Sequence, residues 1–265
     1  MTTYGKGTAL VTGASSGIGA IYADRLARRG HDLVLVARDR GRMDTLATRL
    51  ARETRRSIEV VGANLTDRED LARIERRLCE DKTITMLVNN AGVGATGPLL
   101  ESDVDAMEQM IALNAVALMR LTYAAVPNFV RQGGGAIVNI ASVVAVAPET
   151  LNGVYGASKA FVLAFTLALQ KELVDENVHV QAVLPGATAT DFWEVAGTTV
   201  SQLPSEIVMK ADAMVDAALA GFDQGEVITI PSLPDLADWQ AFEAARQRLI
   251  PNLSLSIPAE RYRAP

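Results

Sequence analysis

Short apolar runs alternate along this chain with longer amphipathic stretches, and this alternation is the feature that most constrains the fold. Most of the runs are apolar on successive residues, whereas a strand with one face in water alternates apolar with polar residues. Such strands are typical of a parallel sheet that is covered by helices on both faces. The sequence therefore predicts a doubly wound α/β fold. Strands are predicted at Thr8–Thr12, Asp32–Ala37, Ile58–Gly62, Ile84–Asn89, Ala136–Ala141, Val178–Leu184 and Val227–Ile230.

The amphipathic stretches between the strands predict the helices, from their caps and their 3.6-residue period. With 265 residues, 49% of them hydrophobic, the chain can bury one sizeable core, so a single domain is predicted over residues 1–265. Residues 186–204 have the length and composition of a lid, and a proline-punctuated tail covers residues 231–265. One helix is predicted to open at Gly17, and others to span Arg40–Thr54, Asp67–Glu80, Asp103–Val130, Tyr155–Glu176 and Met209–Gln224.

Charge and cysteine content exclude several classes of function. The formal net charge is −6 with both signs interspersed, which gives no electrostatic footprint for nucleic acid or an anionic membrane. The lone Cys79 indicates a reducing compartment, so we expect a cytoplasmic protein. The longest apolar stretch, residues 135–148, is too short to cross a bilayer. Neither His31 nor His179 shows metal-ligand spacing with Cys79, so no metal site is expected.

A glycine-rich run follows the first predicted strand and leads into the first helix. Gly13 can adopt positive φ, and the absence of side chains at Gly17 and Gly19 allows a pyrophosphate to approach the backbone. The N–H groups at the start of that helix favour an anion. Glycines also serve ordinary turns, so the run alone is weak evidence. The predicted contacts here are Gly13, Ser15, Ser16, Gly17, Ile18 and Gly19.

The end of the second strand indicates which dinucleotide binds. Where an acid usually holds the ribose 2′-hydroxyl of NAD, this chain has Ala37 followed by Arg38. An arginine can pair with a 2′-phosphate through forked, charge-assisted hydrogen bonds. NADP(H) is therefore favoured, while NAD(H) stays possible, because Arg38 could instead belong to a solvated helix start.

Tyr155 and Lys159 lie four residues apart at the start of a predicted helix, so both project from the same face. An ammonium group and the positive ring of an oxidised nicotinamide both favour phenolate over phenol. Ser142 follows the fifth strand, at the carboxyl edge where open α/β sheets bind ligands. We therefore expect Tyr155 to exchange a proton with a substrate oxygen that the hydroxyl of Ser142 holds.

With the glycine turn, Asn89-Asn90-Ala91-Gly92, Ser142 and Tyr155-x-x-x-Lys159 in this order, the sequence resembles the short-chain dehydrogenase/reductase family from about Lys6 to Ile230. The resemblance implies a Rossmann-like sheet of seven parallel strands and hydride transfer between nicotinamide and a carbonyl/alcohol pair. It also implies that Tyr155 is the acid/base, that Lys159 modifies its pKa and binds ribose, and that Asn114 maintains a proton-relay water. Further cofactor contacts implied by the resemblance are Asn64, Leu65, Asn90, Ala91, Gly92, Pro185, Gly186 and Thr188.

One position departs from the family's pattern: Asn64 stands where an aspartate usually accepts a bond from the adenine amine. An amide oxygen can still accept that bond. Residues expected near the nicotinamide are mainly apolar, so we expect an uncharged, moderately hydrophobic ketone, aldehyde or secondary alcohol. They are Val93, Gly94, Val143 to Val146, Leu151, Phe192, Trp193 and Val195.

Two of the long helices carry more apolar positions than one buried stripe needs, which favours a homodimer or homotetramer. The main alternative function is a catalytically silent nucleotide-binding or regulatory protein on the same fold. Such proteins usually lack the tyrosine or the lysine, and both are present here. A dehydratase or epimerase for nucleotide-sugars would need a larger substrate domain than residues 184–227 can supply.

Overall fold

A computed structural model of the protein describes residues 7–263. Its central sheet has seven parallel strands in the order β3-β2-β1-β4-β5-β6-β9, which confirms the predicted doubly wound, Rossmann-like α/β fold. From β1 the chain adds strands first on one side and then, starting with β4, on the other side. This switch in strand order opens a crevice at the carboxyl ends of β1 and β4. The strands are β1 (Thr8–Thr12), β2 (Asp32–Ala37), β3 (Ile58–Gly62), β4 (Ile84–Asn89), β5 (Gly135–Ile140), β6 (Val178–Val183) and β9 (Ile228–Thr229).

Neighbouring residues of each strand enter different halves of the core, as the apolar runs predict. Val11 packs on the face that is covered by α1, α2 and α8, whereas Leu10 packs on the face covered by α3, α5 and α6. The helices are α1 (Gly17–Arg28), α2 (Arg40–Thr54), α3 (Arg68–Glu80), α4 (Val104–Ile111), α5 (Leu118–Arg131), α6 (Gly153–Glu172), α7 (Phe192–Val195), α8 (Ala211–Asp223) and α9 (Leu236–Leu249).

Three predicted helices differ from the structure in a way that has a physical cause. The helix predicted over Asp103–Val130 contains a π-helical segment, Ala112–Ala117, which joins α4 to α5. The helix predicted from Met209 starts later, because Met209–Lys210 form strand β8 and pair with β7 (Thr188–Ala189). Helix α6 begins at Gly153, where the Asn152 side chain accepts from two backbone N–H groups, and it ends at Glu172 rather than Glu176.

Two helical stretches within residues 7–263, Val104–Arg131 and Gly153–Glu172, are long and apolar enough to cross a membrane by length and composition alone. The most apolar window of each is 50% and 44% buried inside the protein, respectively. Both stretches pack against the central sheet, α5 on β4 and β5, and α6 on β5 and β6. Core packing therefore accounts for much of their apolar character.

The chain divides into two compact units, Met1–Pro231 and Ser232–Pro265. The first holds the sheet and every helix up to α8. The second starts within one residue of the predicted tail, contains α9, and has no buried side chain among residues 232–263. Two short parts of the predicted domain and tail lie outside the described residues. They are residues 1–6, which include Lys6, and residues 264–265.

Candidate active site

The glycine-rich turn forms a cradle at the carboxyl end of β1. Gly13 has φ +65° and Gly17 has φ +52°, so both occupy the left-handed region that favours glycine. A Cβ atom on Gly19 would lie 2.3 Å from the carbonyl oxygen of Gly13. The turn therefore depends on glycine at all three positions.

The N-terminus of α1 is the part of this cradle that suits an anion. Ser16 occupies the cap position but its side chain makes no capping hydrogen bond, and the first turn holds no acidic residue. By contrast, side chains cap the starts of α2, α3, α4, α6 and α9. The free N–H groups of α1 and the close backbone fit the pyrophosphate of a dinucleotide.

The loop after β4 ties the cradle to the rest of the site. Asn90 Nδ2 donates to the carbonyl oxygens of Thr12 (2.9 Å) and Gly13 (3.2 Å). The Thr12 hydroxyl accepts from the backbone N–H groups of Asn90 and Ala91, each at 3.0 Å. Asn90 and Ala91 thus lie beside the glycine turn, followed by Gly92, and the contacts of all three with a cofactor stay predictions.

The adenosine end of the crevice presents Arg38 on the surface. Its side chain is exposed and makes no ion pair or hydrogen bond within residues 7–263. The Asn64 side-chain oxygen accepts from the N–H (3.2 Å) and hydroxyl (2.9 Å) of Thr66. Leu65 is buried in one half of the core, so it could contact a cofactor only through its backbone. Ile18 is partly buried against the other half, so its side chain stays accessible. Arg38 is therefore a cation that has no ion-pair partner among residues 7–263.

Ser142, Tyr155 and Lys159 converge at the carboxyl end of β5, and all three are buried. Ser142 Oγ lies 3.4 Å from the carbonyl oxygen of Pro185, in the loop after β6. Lys159 Nζ donates to the carbonyl oxygen of Ile140 at 2.9 Å and lies 5.9 Å from the centre of the Tyr155 ring. The structure thus brings the three residues together, with the ammonium held by β5.

Asn114 is held in the π-helical segment by the loop after β4. Its Nδ2 donates to the Val93 carbonyl oxygen (2.9 Å) and its Oδ1 accepts from the Val93 N–H (3.0 Å). Single-turn π segments are frequent at functional sites. A Cβ atom on Gly92 would lie 3.1 Å from Asn114 Oδ1 and 3.4 Å from Lys159 Nζ. The backbone at Gly92 therefore passes close to both polar groups.

Ser158 and Asn152 are site residues that sequence reasoning missed. Ser158 Oγ accepts from Asn114 Nδ2 (3.1 Å) and donates to the Tyr155 carbonyl oxygen (2.8 Å). Asn152 caps α6 just before Tyr155, and its Nδ2 donates to the Gly97 carbonyl oxygen at 2.7 Å. An asparagine before a helix was a readable capping signal, but the Asn114–Ser158 bond joins residues 44 apart and has no local signal.

Burial dominates the electrostatics of the two ionisable groups. It raises the pKa of Tyr155 from its ordinary value of 10.0 to about 12, against the opposing effect of the Ser142 hydroxyl. It also lowers the pKa of Lys159 from 10.5 to about 8. In the protein without cofactor, Lys159 therefore does not lower the pKa of Tyr155 as expected. Its ammonium group donates to the Ile140 carbonyl oxygen and not to the phenol.

The loop after β6 completes the crevice. The Thr188 hydroxyl donates to the Gly186 carbonyl oxygen at 3.1 Å, and Trp193 Nε1 donates to the Thr188 carbonyl oxygen at 2.9 Å. The Trp193 side chain is buried, whereas the Val195 side chain is 66% exposed. Pro185 thus lies next to Ser142, with Gly186 and Thr188 in the same loop, and their contacts with a cofactor stay predictions. Val195, which was predicted near the nicotinamide, does not join the apolar cluster around Tyr155.

The apolar cluster around Tyr155 draws its members from several loops and helices. Val144 and Met110 are buried against Tyr155, and partly buried residues surround them. Val93, Leu151 and Phe192 were predicted near the nicotinamide, whereas the two methionines of α4 were not. The surrounding residues are Val93, Ala95, Met107, Leu151, Val154 and Phe192.

Comparisons with known proteins agree with this fold and site. Residues 7–200 match the short chain dehydrogenase family, and the chain belongs to the short-chain dehydrogenase/reductase family of oxidoreductases. The human 17-beta-hydroxysteroid dehydrogenase type 3 is 34% identical over 215 residues, which are 80% of this chain and 66% of that protein. The chain thus spans just under two thirds of the length of this relative.

Two solved structures cover nearly the whole chain. A short-chain dehydrogenase from Sphingobium yanoikuyae, in complex with NADPH, is 51% identical with a TM-score of 0.93, over 97% of this chain and 100% of that one. A bulky-bulky ketone specific alcohol dehydrogenase from Comamonas testosteroni is 47% identical with a TM-score of 0.89, over 97% and 98% of the two chains. The predicted family is therefore confirmed.

Proposed function

We propose that this protein is an NADP(H)-dependent oxidoreductase that interconverts an uncharged, bulky, apolar ketone and its secondary alcohol. The observation that carries the proposal is the convergence of Ser142, Tyr155 and Lys159 beside the glycine-rich turn and the α1 N-terminus, with apolar side chains packed around Tyr155. The Sphingobium structure holds NADPH, and the Comamonas enzyme is specific for bulky-bulky ketones. Both facts favour the same cofactor and substrate class here.

Bound NADPH would supply a hydride from its nicotinamide ring to the carbonyl carbon. Ser142 donates a hydrogen bond to the substrate oxygen, and Tyr155 Oη transfers its proton to that oxygen as the alcohol forms. A phenol with a pKa near 12 is protonated at neutral pH, which suits this step. Lys159, with a pKa near 8, can return a proton to the site at neutral pH.

The proposed cofactor contacts follow the crevice from one end to the other. Gly13, Ser15, Ser16, Gly17 and the backbone near Gly19 hold the pyrophosphate, and Arg38 pairs with the 2′-phosphate. The loops after β4 and β6 flank the ribose and nicotinamide. Cytoplasmic location and a homodimer or homotetramer stay predictions.

A screen of cofactor consumption tests the proposal. NADPH and NADH oxidation are followed at 340 nm with aryl alkyl ketones and with small charged keto acids, for the wild type and for Tyr155→Phe. We expect NADPH oxidation with the uncharged ketones and its loss in the variant. Turnover restricted to charged keto acids would contradict the substrate class. NADPH binding without any turnover would favour the silent nucleotide-binding protein.

A further inference from the structure

The Phe192 ring packs at a tilt against the ring of Tyr155. Its ring centre lies 5.7 Å from that of Tyr155, with 46° between the ring planes, and 5.4 Å from Trp193 in an edge-to-face arrangement. The tip of the ring points at Gly94: a Cβ atom there would lie 2.2 Å from Phe192 Cζ and 2.8 Å from Cε2. The ring therefore uses space that exists only because residue 94 has no side chain.

The segment that carries Phe192 is fixed on both sides. Trp193 Nε1 donates to the Thr188 carbonyl oxygen at 2.9 Å. The Thr96 N–H and hydroxyl both donate to the Ala196 carbonyl oxygen, at 3.0 and 2.9 Å. Thr96 belongs to the same loop as Gly94, so the loop and the segment hold each other. The contact between Phe192 and Gly94 lies inside this bonded frame.

The consequence for the substrate follows from the burial of Tyr155, which is only 6% exposed. The Phe192 ring contacts the Tyr155 ring, so a ketone whose oxygen reaches Tyr155 Oη would bring a substituent close to Phe192. Among the apolar residues around Tyr155, Phe192 is the one whose aromatic ring contacts the tyrosine ring. Its position therefore controls the volume next to the reacting carbon.

We propose that Phe192, seated in the notch at Gly94, is the specificity-determining residue that limits the size of the larger ketone substituent. The inference rests on the proposed carbonyl reduction. A methyl group at residue 94 must move the ring tip from 2.2 Å to the 3.4 Å of ordinary contact, a shift of at least about 1.2 Å.

A double-mutant cycle tests the contact. The measured quantity is the ratio of kcat/KM for butyrophenone to kcat/KM for 2-butanone, with NADPH. Phe192→Ala is expected to raise the ratio at least about tenfold, because single methylene groups in apolar pockets change specificity by 10-fold or more. Gly94→Ala is expected to lower it by a similar factor when Phe192 is present, and to change it less than about twofold in the Phe192→Ala background.

Gly97→Ala is the matched control, because it lies in the same loop and its Cβ atom would meet only Ser102 Oγ, at 3.9 Å. It is expected to leave the ratio unchanged. Equal effects of Gly94→Ala in both backgrounds, or an unchanged ratio in Phe192→Ala, would overturn the inference. If the wild type reduces neither ketone, the proposed function fails instead, so the two failures are distinguishable.

Fluorescence gives a readout that does not need turnover and still works if one variant is inactive. The chain has two tryptophans, so Trp239→Phe leaves Trp193, which contacts Phe192, as the only emitter. In this background Gly94→Ala is expected to shift the Trp193 emission or its acrylamide quenching, and Gly97→Ala is not. Identical spectra for both glycine variants would contradict the seating of Phe192 at Gly94.

Discussion

Replacing Arg38 with alanine isolates the group that we assign to the 2′-phosphate of NADP(H). Arg38 is exposed and has no partner within residues 7–263, so its loss breaks no internal ion pair. Folding stability should change by less than about 0.5 kcal/mol, as for other exposed residues without partners. Any effect on the enzyme therefore reports on the cofactor.

The magnitude follows from the bond that would be lost. A hydrogen bond to a charged group contributes about 1.5–3 kcal/mol, and exposure to solvent places Arg38 toward the lower end. We therefore expect KM for NADPH to rise about tenfold in Arg38→Ala, while KM for NADH changes less than about twofold.

Initial rates measured over a range of cofactor concentrations give both constants. Arg52→Ala is the control, because Arg52 is also an exposed arginine of the same region but lies in the last turn of α2. It should leave both constants unchanged. Equal increases for NADPH and NADH in Arg38→Ala, or no increase for either, would refute the assignment.

Two further predictions concern buried polar groups. Ser158→Ala removes the bond to Asn114 and is expected to lower kcat about tenfold, with the dissociation constant for NADPH, measured by titration, unchanged. Lys159→Met is expected to abolish turnover but to raise the free energy of unfolding at pH 7 by about 2 kcal/mol. In the wild type, keeping the buried Lys159 charged at a native pKa near 8 costs about 3 kcal/mol, which the variant avoids. The variant also loses the hydrogen bond to Ile140, which offsets about 1 kcal/mol of that gain. Between pH 8 and 10.5 the Lys159 side chain is protonated in the unfolded wild type but largely neutral in the folded one, so the stability of the wild type rises with pH over this range. Urea unfolding should therefore show that the difference in the free energy of unfolding between Lys159→Met and the wild type becomes smaller from pH 8 to 10.5. An advantage that is absent at pH 7, or that grows with pH, would contradict the burial of a charged Lys159.

The sequence specified the sheet closely because its signals are local. The predicted bounds of β1 to β4 agree with the structure, since each run is mainly apolar and a glycine, aspartate or asparagine lies within two residues of its end. Asp39, Asp67 and Asp103 mark helix starts because their side chains accept from the first free N–H groups.

The features that the sequence did not predict depend on contacts between distant residues. The π-helical segment forms where Asn114 bonds to the backbone of Val93, 21 residues earlier. The pKa of Tyr155 depends on how completely the folded protein buries it, and no residue pattern within α6 contains that information. The seating of Phe192 at Gly94 joins loops that lie after different strands. Such contacts form only when distant parts of the chain are brought together by folding, so local sequence patterns do not predict them.

The central claim is that Tyr155 gives a proton to a ketone oxygen while hydride passes from NADPH to the carbonyl carbon. Mass spectrometry of the alcohol that is formed from an aryl ketone and NADPH carrying deuterium at both C4 positions of the nicotinamide tests it most directly. We expect the wild type to place one deuterium on the carbinol carbon, and Tyr155→Phe to bind NADPH but form labelled alcohol at least about 100-fold more slowly. Unlabelled alcohol from the wild type, or labelled alcohol at an undiminished rate from Tyr155→Phe, would contradict the account.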